Sequence, residues 1–434
     1  MSSHSVAATS WPNSLWRSTA PEQSEHPRLD EHITCDVLVI GAGFTGLNSA
    51  LRLSEAGSSV VVLDAGDVGW GASGRNGGQV NPMLPFNSPD MLNNMLGSTY
   101  FERLTETSLN SADELFDLIR SYQINCQARQ NGWLRVNHND RSRRKSETNI
   151  RDWNKFGAGM TLVEGELLSK LSGTRAYRSG VITPRGGAVQ PLMLAQGLAS
   201  AAKRNGAIIH GKSPVLSLEQ QSGKWEARTE SGSVSAEWVA VATNGYTDDL
   251  LPKLSGSIIP ITPIQIATDP LPDDVIGSIL PEGHTISDSR RIIMYARREP
   301  DNRMVYGGMG KPGPNGEIAG FDWLQRDAER VYPQLKGVNW THRWGGHIAF
   351  TDDHLPHLLE PRKGLLVGLG YNGRGVAMSN VMGRVMAERI LGADAESLAF
   401  PVTPIKPIPM RGIKVMGMNS AIGVMRLMDY LETR

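Results

Sequence analysis

The sequence predicts a protein of the α/β plus α+β class. A discontinuous, Rossmann-like nucleotide-binding domain carries an inserted substrate domain built on a mostly antiparallel sheet. Three observations lead there. Residues 35–64, "CDVLVIGAGFTGLNSALRLSEAGSSVVVLD", run strand, glycine turn, helix, strand, which is a βαβ unit with a parallel pair. The strand-like stretches near the start are solid apolar runs, as expected where both sheet faces are covered, whereas "IIPITPIQIAT" (258–268) and the hairpin-like "IIMYARREPDNRMVYGG" (292–308) alternate. The solid type then returns in "KGLLVGLGYNGRG" (363–375), so the first domain closes around the second.

Taken in order, residues 1–34 are polar and form an extended arm that Trp11 and Trp16 pin to the body. After the βαβ unit, "NPMLPFNSPD" (81–90) is irregular because of its prolines, and a long helical pattern follows from Tyr100 to Tyr122. "NGWLRVNH" is a strand, and residues 191–205 form a helix with proline in its first turn. Strands follow between Ala207 and Thr243, and a helix runs from Met378 to Leu391. The nucleotide-binding domain is thus expected at 35–90, 175–252 and 342–400, with the substrate domain at 91–174 and 253–341. Residues 401–434 are a methionine-rich tail, expected to pack on its own domain or a sister subunit rather than on a membrane.

Bulk properties narrow the function. The 434 residues carry 44 basic and 44 acidic side chains, so no net field favours nucleic acid. Two cysteines, Cys35 and Cys126, are too few for a disulfide framework or a clustered metal site, and no metal is expected. The N-terminus has neither signal-peptide nor membrane-spanning character, and the expected location is cytoplasmic.

Gly41, Gly43 and Gly46 make a G-x-G-x-x-G turn, with Ala50 beyond them. The first glycine permits the turn, the second lets a pyrophosphate approach the backbone, and the third lets the helix pack on the strand. Asp64 ends the second strand and would accept the ribose hydroxyls. The chain then runs through six glycines between Gly66 and Gly78, enclosing "GASGRNGGQ" (71–79). An ordinary helix, as in most NAD enzymes, does not fit there. Extended backbone lying along a flat flavin does, which favours FAD.

These motifs, with "VATNGYTDDL" and "GLGYNGRGVAMSNVMGRVMAE", resemble the FAD-dependent D-amino-acid-oxidase superfamily. The resemblance is closest to its bacterial γ-glutamylputrescine oxidase and pipecolate oxidase-like branch, and runs from about Trp16 to Phe400. It implies bound FAD and oxidation of an amine or amino-acid C–N bond. Carried over, Gly41, Gly43, Phe44, Thr45 and Gly46, with Asp64 and Ala65, would hold the pyrophosphate and ribose. Gly71, Ala72, Ser73, Asn76, Gly77, Gly78 and Gln79 would line the flavin, Arg75 bracing their loop. Val215 would meet the adenine from its strand, and Thr243, Asn244 and Gly245 would close over the phosphates. The loop of Gly370, Asn372, Gly373, Arg374, Gly375 and Val376 would face the flavin N1–C2=O2 edge, with Arg374 answering the negative charge that develops there. No cysteine or histidine stands where relatives tether the flavin, so noncovalent FAD is expected.

Arg297 is the candidate carboxylate-binding arginine, with a structural ion pair as the alternative. Trp344 and His347 are candidate walls above the flavin, with a packed core tryptophan and a capped histidine as the alternatives; Gln265 and Tyr295 are weaker candidates, and His354 is read as structural. The expected partners are a small amine or amino acid and an electron acceptor, O2 first, with no nucleic acid. Two alternatives stay open: a 2-hydroxyacid oxidoreductase, for which His347 is the visible base, and a non-catalytic flavin-bearing sensor.

Overall fold

The structure, a computed structural model, describes residues 10–22, 25–312 and 318–432. The first nine residues of the expected arm and the last two of the expected tail lie outside the described residues. Two sheets dominate. In the nine-stranded sheet, His32–Ile40 lies between Ser233–Val241 and Val60–Leu63, all parallel, and Ile208–His210 extends it beyond Val60–Leu63. On the other side Leu365–Leu369 pairs parallel with Ser233–Val241. The solid apolar runs are accounted for: Val37, Leu38, Val39 and Val60 to Leu63 are all at most 2% exposed. One apolar cluster covers each face of this sheet.

Helix Phe44–Glu55 packs against Gly375–Ile390 and Pro191–Arg204. The contact is close because Gly383 has no side chain; a Cβ there would lie 2.6 Å from the Thr45 carbonyl. Ser49 donates to the Gly383 carbonyl at 2.9 Å, which locks the two helices in register.

The second sheet has eight strands, in the order Trp340–Gly345, Pro263–Thr268, Met304–Met309, Tyr295–Arg298, Thr285–Asp288, Trp133–Asn137, Ser179–Thr183, Thr161–Glu164. Every pairing is antiparallel except Thr285–Asp288 with Trp133–Asn137. Its own apolar cluster is closed by helix Phe321–Val331.

The structure departs from the expected segments in three places, two strands and one helix. Ser179–Thr183 and Trp340–Gly345, assigned by sequence to or across the edge of the nucleotide-binding segments 175–252 and 342–400, belong to the second sheet. The long helix begins earlier than expected, at Pro89, is kinked at Gly97, and ends at Ser121. Its apolar face joins the core of the nine-stranded sheet rather than the substrate core. Helical spacing shows which residues turn inward, but not which of two cores receives them.

The expected extended arm contains a five-residue helix, Leu15–Thr19, with Ser14 capping Arg17 N–H at 3.1 Å. Trp16 is fully buried, donates to the Asn76 carbonyl at 2.8 Å and stacks edge-on with Trp344. The tail forms helix Arg411–Glu432, held by Arg291 to Asp429 and Glu432 and by Arg426 over Trp323. No described helix is long and apolar enough to cross a membrane.

Candidate active site

A cavity of about 390 Å³ runs between the two sheets. One end is bounded by Ser213, Pro214 and Val215, the middle by Gly41, Gly43, Asp64 and Thr243 to Gly245, and the far end by Gln265, Ser287 and Tyr295. Val215 reaches it from the connector after Ile208–His210, not from a strand as the sequence suggested.

The glycine turn is tight for visible reasons. A Cβ on Gly46 would fall 1.9 Å from the Gly41 carbonyl oxygen, and Gly41 itself has φ +111°. Gly43 therefore presents bare backbone to the cavity at the N-terminus of Phe44–Glu55, where the helix dipole favours an anion. Asp64 accepts from Ala42 N–H at 2.6 Å and Gly66 N–H at 2.7 Å, one on each oxygen. Its remaining lone pairs are free to accept two more donors. Burial pushes its pKa up, partly opposed by those two N–H groups.

The glycine-rich loop is organised by its own polar residues. Ser73 Oγ accepts from Phe44 N–H at 2.9 Å. Asn76 accepts from Gly78 N–H at 2.7 Å and donates to the carbonyls of Ala72 and Ser73. Arg75 donates to the Trp70 carbonyl at 2.7 Å and lies over the Trp70 ring, away from the cavity. Gln79 donates to the Ile286 and Ala296 carbonyls, joining the loop to the second sheet. On the opposite wall, Asn244 accepts from Gly370 N–H at 2.9 Å, and Asn372 holds Thr351. Both asparagines have positive φ, which that side chain tolerates better than most.

Of the expected site residues, Gly41, Gly43, Phe44, Thr45, Asp64, Ala65, Gly71, Ala72, Ser73, Asn76, Gly77, Gln79, Val215, Thr243 to Gly245 and Asn372 to Val376 line the cavity. Gly46, Arg75, Gly78 and Gly370 stand behind it.

The family model for FAD-dependent oxidoreductases matches residues 36–389. The chain belongs to the FAD-dependent oxidoreductase family. A curated relative, the gamma-glutamylputrescine oxidoreductase of Escherichia coli, is 32% identical over 400 residues, covering 92% of this chain and 93% of the relative. A glycine oxidase of Bacillus licheniformis is 24% identical over 377 residues, 82% of this chain and 93% of that one. Among solved structures, glycine oxidase from Geobacillus kaustophilus superposes with a TM-score of 0.73 at 20% identity, covering 87% of this chain and 99% of its own.

The cofactor of a protein in the FAD-dependent oxidoreductase family is FAD, and the residues present fit it. The backbone cradle that a Cβ would fill, the helix N-terminus behind it and the half-satisfied Asp64 lie in dinucleotide order along one cavity. Arg374 ends the series: its Nε is buried without a partner, and its guanidinium lies over the Trp133 ring at 4.7 Å. Burial, with repulsion from Arg135, pulls its pKa down to about 9, so it stays charged at neutral pH.

Three sequence candidates do not reach the cavity. Arg297 is 1% exposed and pairs its Nε and Nη2 with the two carboxylate oxygens of Glu299, while Nη1 donates to the Gly78 and Val189 carbonyls at 2.8 and 2.7 Å. With all these donors engaged it cannot also grip a substrate carboxylate. Trp344 is buried and donates to the Arg75 carbonyl at 3.0 Å, so it supports the loop from behind. His347 is bound to Thr262 at 3.2 Å, and burial lowers its pKa. Conversely, Gln265 and Tyr295 line the cavity, together with Tyr371 from the expected flavin-edge loop and with Asn81 and Ser287, which sequence reasoning missed. Strand alternation was the available signal: Gln265, Tyr295 and Ser287 share a face, but the sheet order that joins them is not local.

Acidification is expected to release FAD. Protonating Asp64 removes an acceptor, and because burial raises its pKa, this occurs above the ordinary carboxylate value of 3.8. Flavin fluorescence followed against pH should show release with such a midpoint. Asp64→Asn should already hold FAD weakly at neutral pH, with a flatter profile; an unchanged profile would remove Asp64 from the ribose site.

Proposed function

We propose that this protein oxidises the C–N bond of an amine or amino acid, using noncovalent FAD and passing electrons to O2. The observation that carries this reading is a pair of orphan acceptors. Gln265 Oε1 and Asn81 Oδ1 both belong to cavity-lining residues, both are buried, and neither has a hydrogen-bond partner. A buried acceptor without a donor costs about 1–3 kcal/mol, and the N–H groups of a neutral amine supply what is missing. Gln265 is itself oriented by donating Nε2 to the Tyr295 hydroxyl at 2.5 Å. The Tyr295 ring lies where a Gly307 or Gly77 side chain would otherwise sit.

FAD supplies the redox step, accepting the electrons that leave the substrate carbon with its hydrogen. The chain's residues disfavour the ammonium form by enclosing the nitrogen with no carboxylate beside it, accept its N–H groups, orient the α-carbon, and exclude water with Tyr295, Tyr371 and Phe350. Among the described residues no histidine lines the cavity and no carboxylate accompanies Gln265 and Asn81 on the second-sheet side, and no general base is needed once the amine is neutral. His347, the base required for hydroxyacid oxidation, is occupied by Thr262. Among the described residues no cysteine or histidine lines the cavity, and Cys35 and Cys126 are both buried thiols raised to about 12 by burial, which supports noncovalent FAD. The gamma-glutamylputrescine oxidoreductase relative makes an ω-amino compound the first substrate to try.

An anaerobic titration of the holoprotein with amines, amino acids and hydroxyacids tests the proposal. An amine should bleach the flavin band, and admitting air should restore it at a catalytic rate. Gln265→Leu should raise KM about tenfold or more, as expected for one lost hydrogen bond in a dry site. Bleaching by hydroxyacids alone would overturn the reading.

A further inference from the structure

A second cavity, of about 380 Å³, opens beside the first and shares Pro85, Phe86 and Arg374 with it. It lies under the second sheet, between residues 83–91 and helix Asp140–Asn154, an element the sequence reading passed over although Asn139 and Ser142 form a capping box there. One row of residues crosses the sheet in register: Val181, Arg135, Ser287, Tyr295, Gly307 and Gln265. Residues directly opposite in a ladder share a face. Gln265, Tyr295 and Ser287 line the first cavity, and Arg135 and Val181 line the second. Trp133 stands between, donating Nε1 to Ser287 Oγ at 2.9 Å and taking the Arg374 guanidinium over its ring.

The charges there are unbalanced. Arg135, Lys145, Arg151 and Arg374 line the second cavity against Asp90 and Asp152. Asp152 is already held by Arg151 at 3.1 Å and Lys155 at 3.3 Å. Asp288, the acid that acts on Arg135, is committed to Arg290. Arg135 lies close enough to Arg374 to help lower its pKa, and no described residue forms an ion pair with either. Both residues are half-buried, Arg374 Nε is buried with no acceptor, and an anion between the two guanidinium groups would turn a repulsion into two attractions. Arg135 does not line the first cavity, so FAD there does not supply that anion.

We propose that the second cavity is a carboxylate subsite, in which Arg135, assisted by Arg374, holds an anionic end of the amine substrate several bonds from the carbon being oxidised. This rests on the amine reading above, and it means that the substrate is an extended amino acid rather than a compact one. The chain of atoms passes Trp133, its neutral amine facing Gln265 and Asn81.

Two measurements on the holoprotein separate the subsite from the reaction. Glutarate, a dicarboxylate without an amine, should bind wild type by calorimetry and bind Arg135→Gln about tenfold or more weaker, with Arg135→Lys between them. This readout does not depend on turnover. In the second, the mono-amide of 1,4-diaminobutane with succinic acid is compared with its terminal carboxamide. The ratio of their kcat/KM values should favour the carboxylate in wild type and fall about tenfold in Arg135→Gln, through KM rather than kcat. Equal glutarate affinity in wild type and Arg135→Gln would overturn the subsite, as would an unchanged ratio. If glutarate discriminates while neither amine bleaches the flavin, the subsite stands and the amine reading falls.

Discussion

Gly46→Ala should purify largely without FAD and melt well below wild type. A Cβ at that position lies 1.9 Å from the Gly41 carbonyl oxygen, in the turn, and 3.0 Å from Val39 Cγ1, in the core of the central strand. The oxygen is backbone, so no rotamer change relieves the overlap; the helix must move off the strand. Overpacking of this kind costs about 3 kcal/mol or more, and the displaced helix N-terminus no longer meets the pyrophosphate. The ratio of flavin to protein absorbance and the Tm both report it. Retention of FAD with an unchanged Tm would mean that the turn tolerates a side chain and that the close approach is not what holds the cofactor.

Arg297→Met should be destabilising, and its catalytic consequences should follow from instability alone. Arg297 and Glu299 are both buried, at 1% and 4% exposure. Removing the arginine leaves Glu299 with Arg129, whose Nη2 lies 3.7 Å away, and takes from the Val189 carbonyl its Nη1 donor, while the Gly78 carbonyl keeps the Val189 N–H at 2.9 Å. Breaking a buried pair in this way costs about 3–5 kcal/mol. Removing both partners, in Arg297→Met with Glu299→Leu, should recover part of the loss because no unpaired charge remains. On the folded, FAD-loaded fraction, the preference between carboxylated and plain amines should match wild type. A selective rise in KM for carboxylated substrates with little change in Tm would return Arg297 to the substrate site.

Between the two roles open to Arg297, nothing local in the chain decides. Arg297 occupies a strand position facing the site, and a guanidinium there is as able to bind a carboxylate as to brace a loop. The choice was made by Glu299 two residues on and by two carbonyls, Gly78 and Val189, that reach it only in the folded chain. Trp344 followed the same course. Its ring meets Trp16, 328 positions earlier in the chain, and no local pattern joins them. Arg135 shows the opposite failure: in "GWLRVNH" it is one more strand residue, and only the sheet order sets it beside Arg374.

The sequence by itself determined the βαβ unit, the glycine cradle with Asp64 at its end, the two types of strand, and hence the family and its cofactor. These rest on contacts within a few tens of residues, where spacing and residue type leave few conformations open. The tertiary structure alone decided which arginines are already spent and which remain free, which core receives the long helix, and how one row across six strands joins the first cavity to a cationic one. Those outcomes depend on pairings hundreds of residues apart, and a side chain's chemistry is set by the partner it finds there, not by its neighbours in the chain.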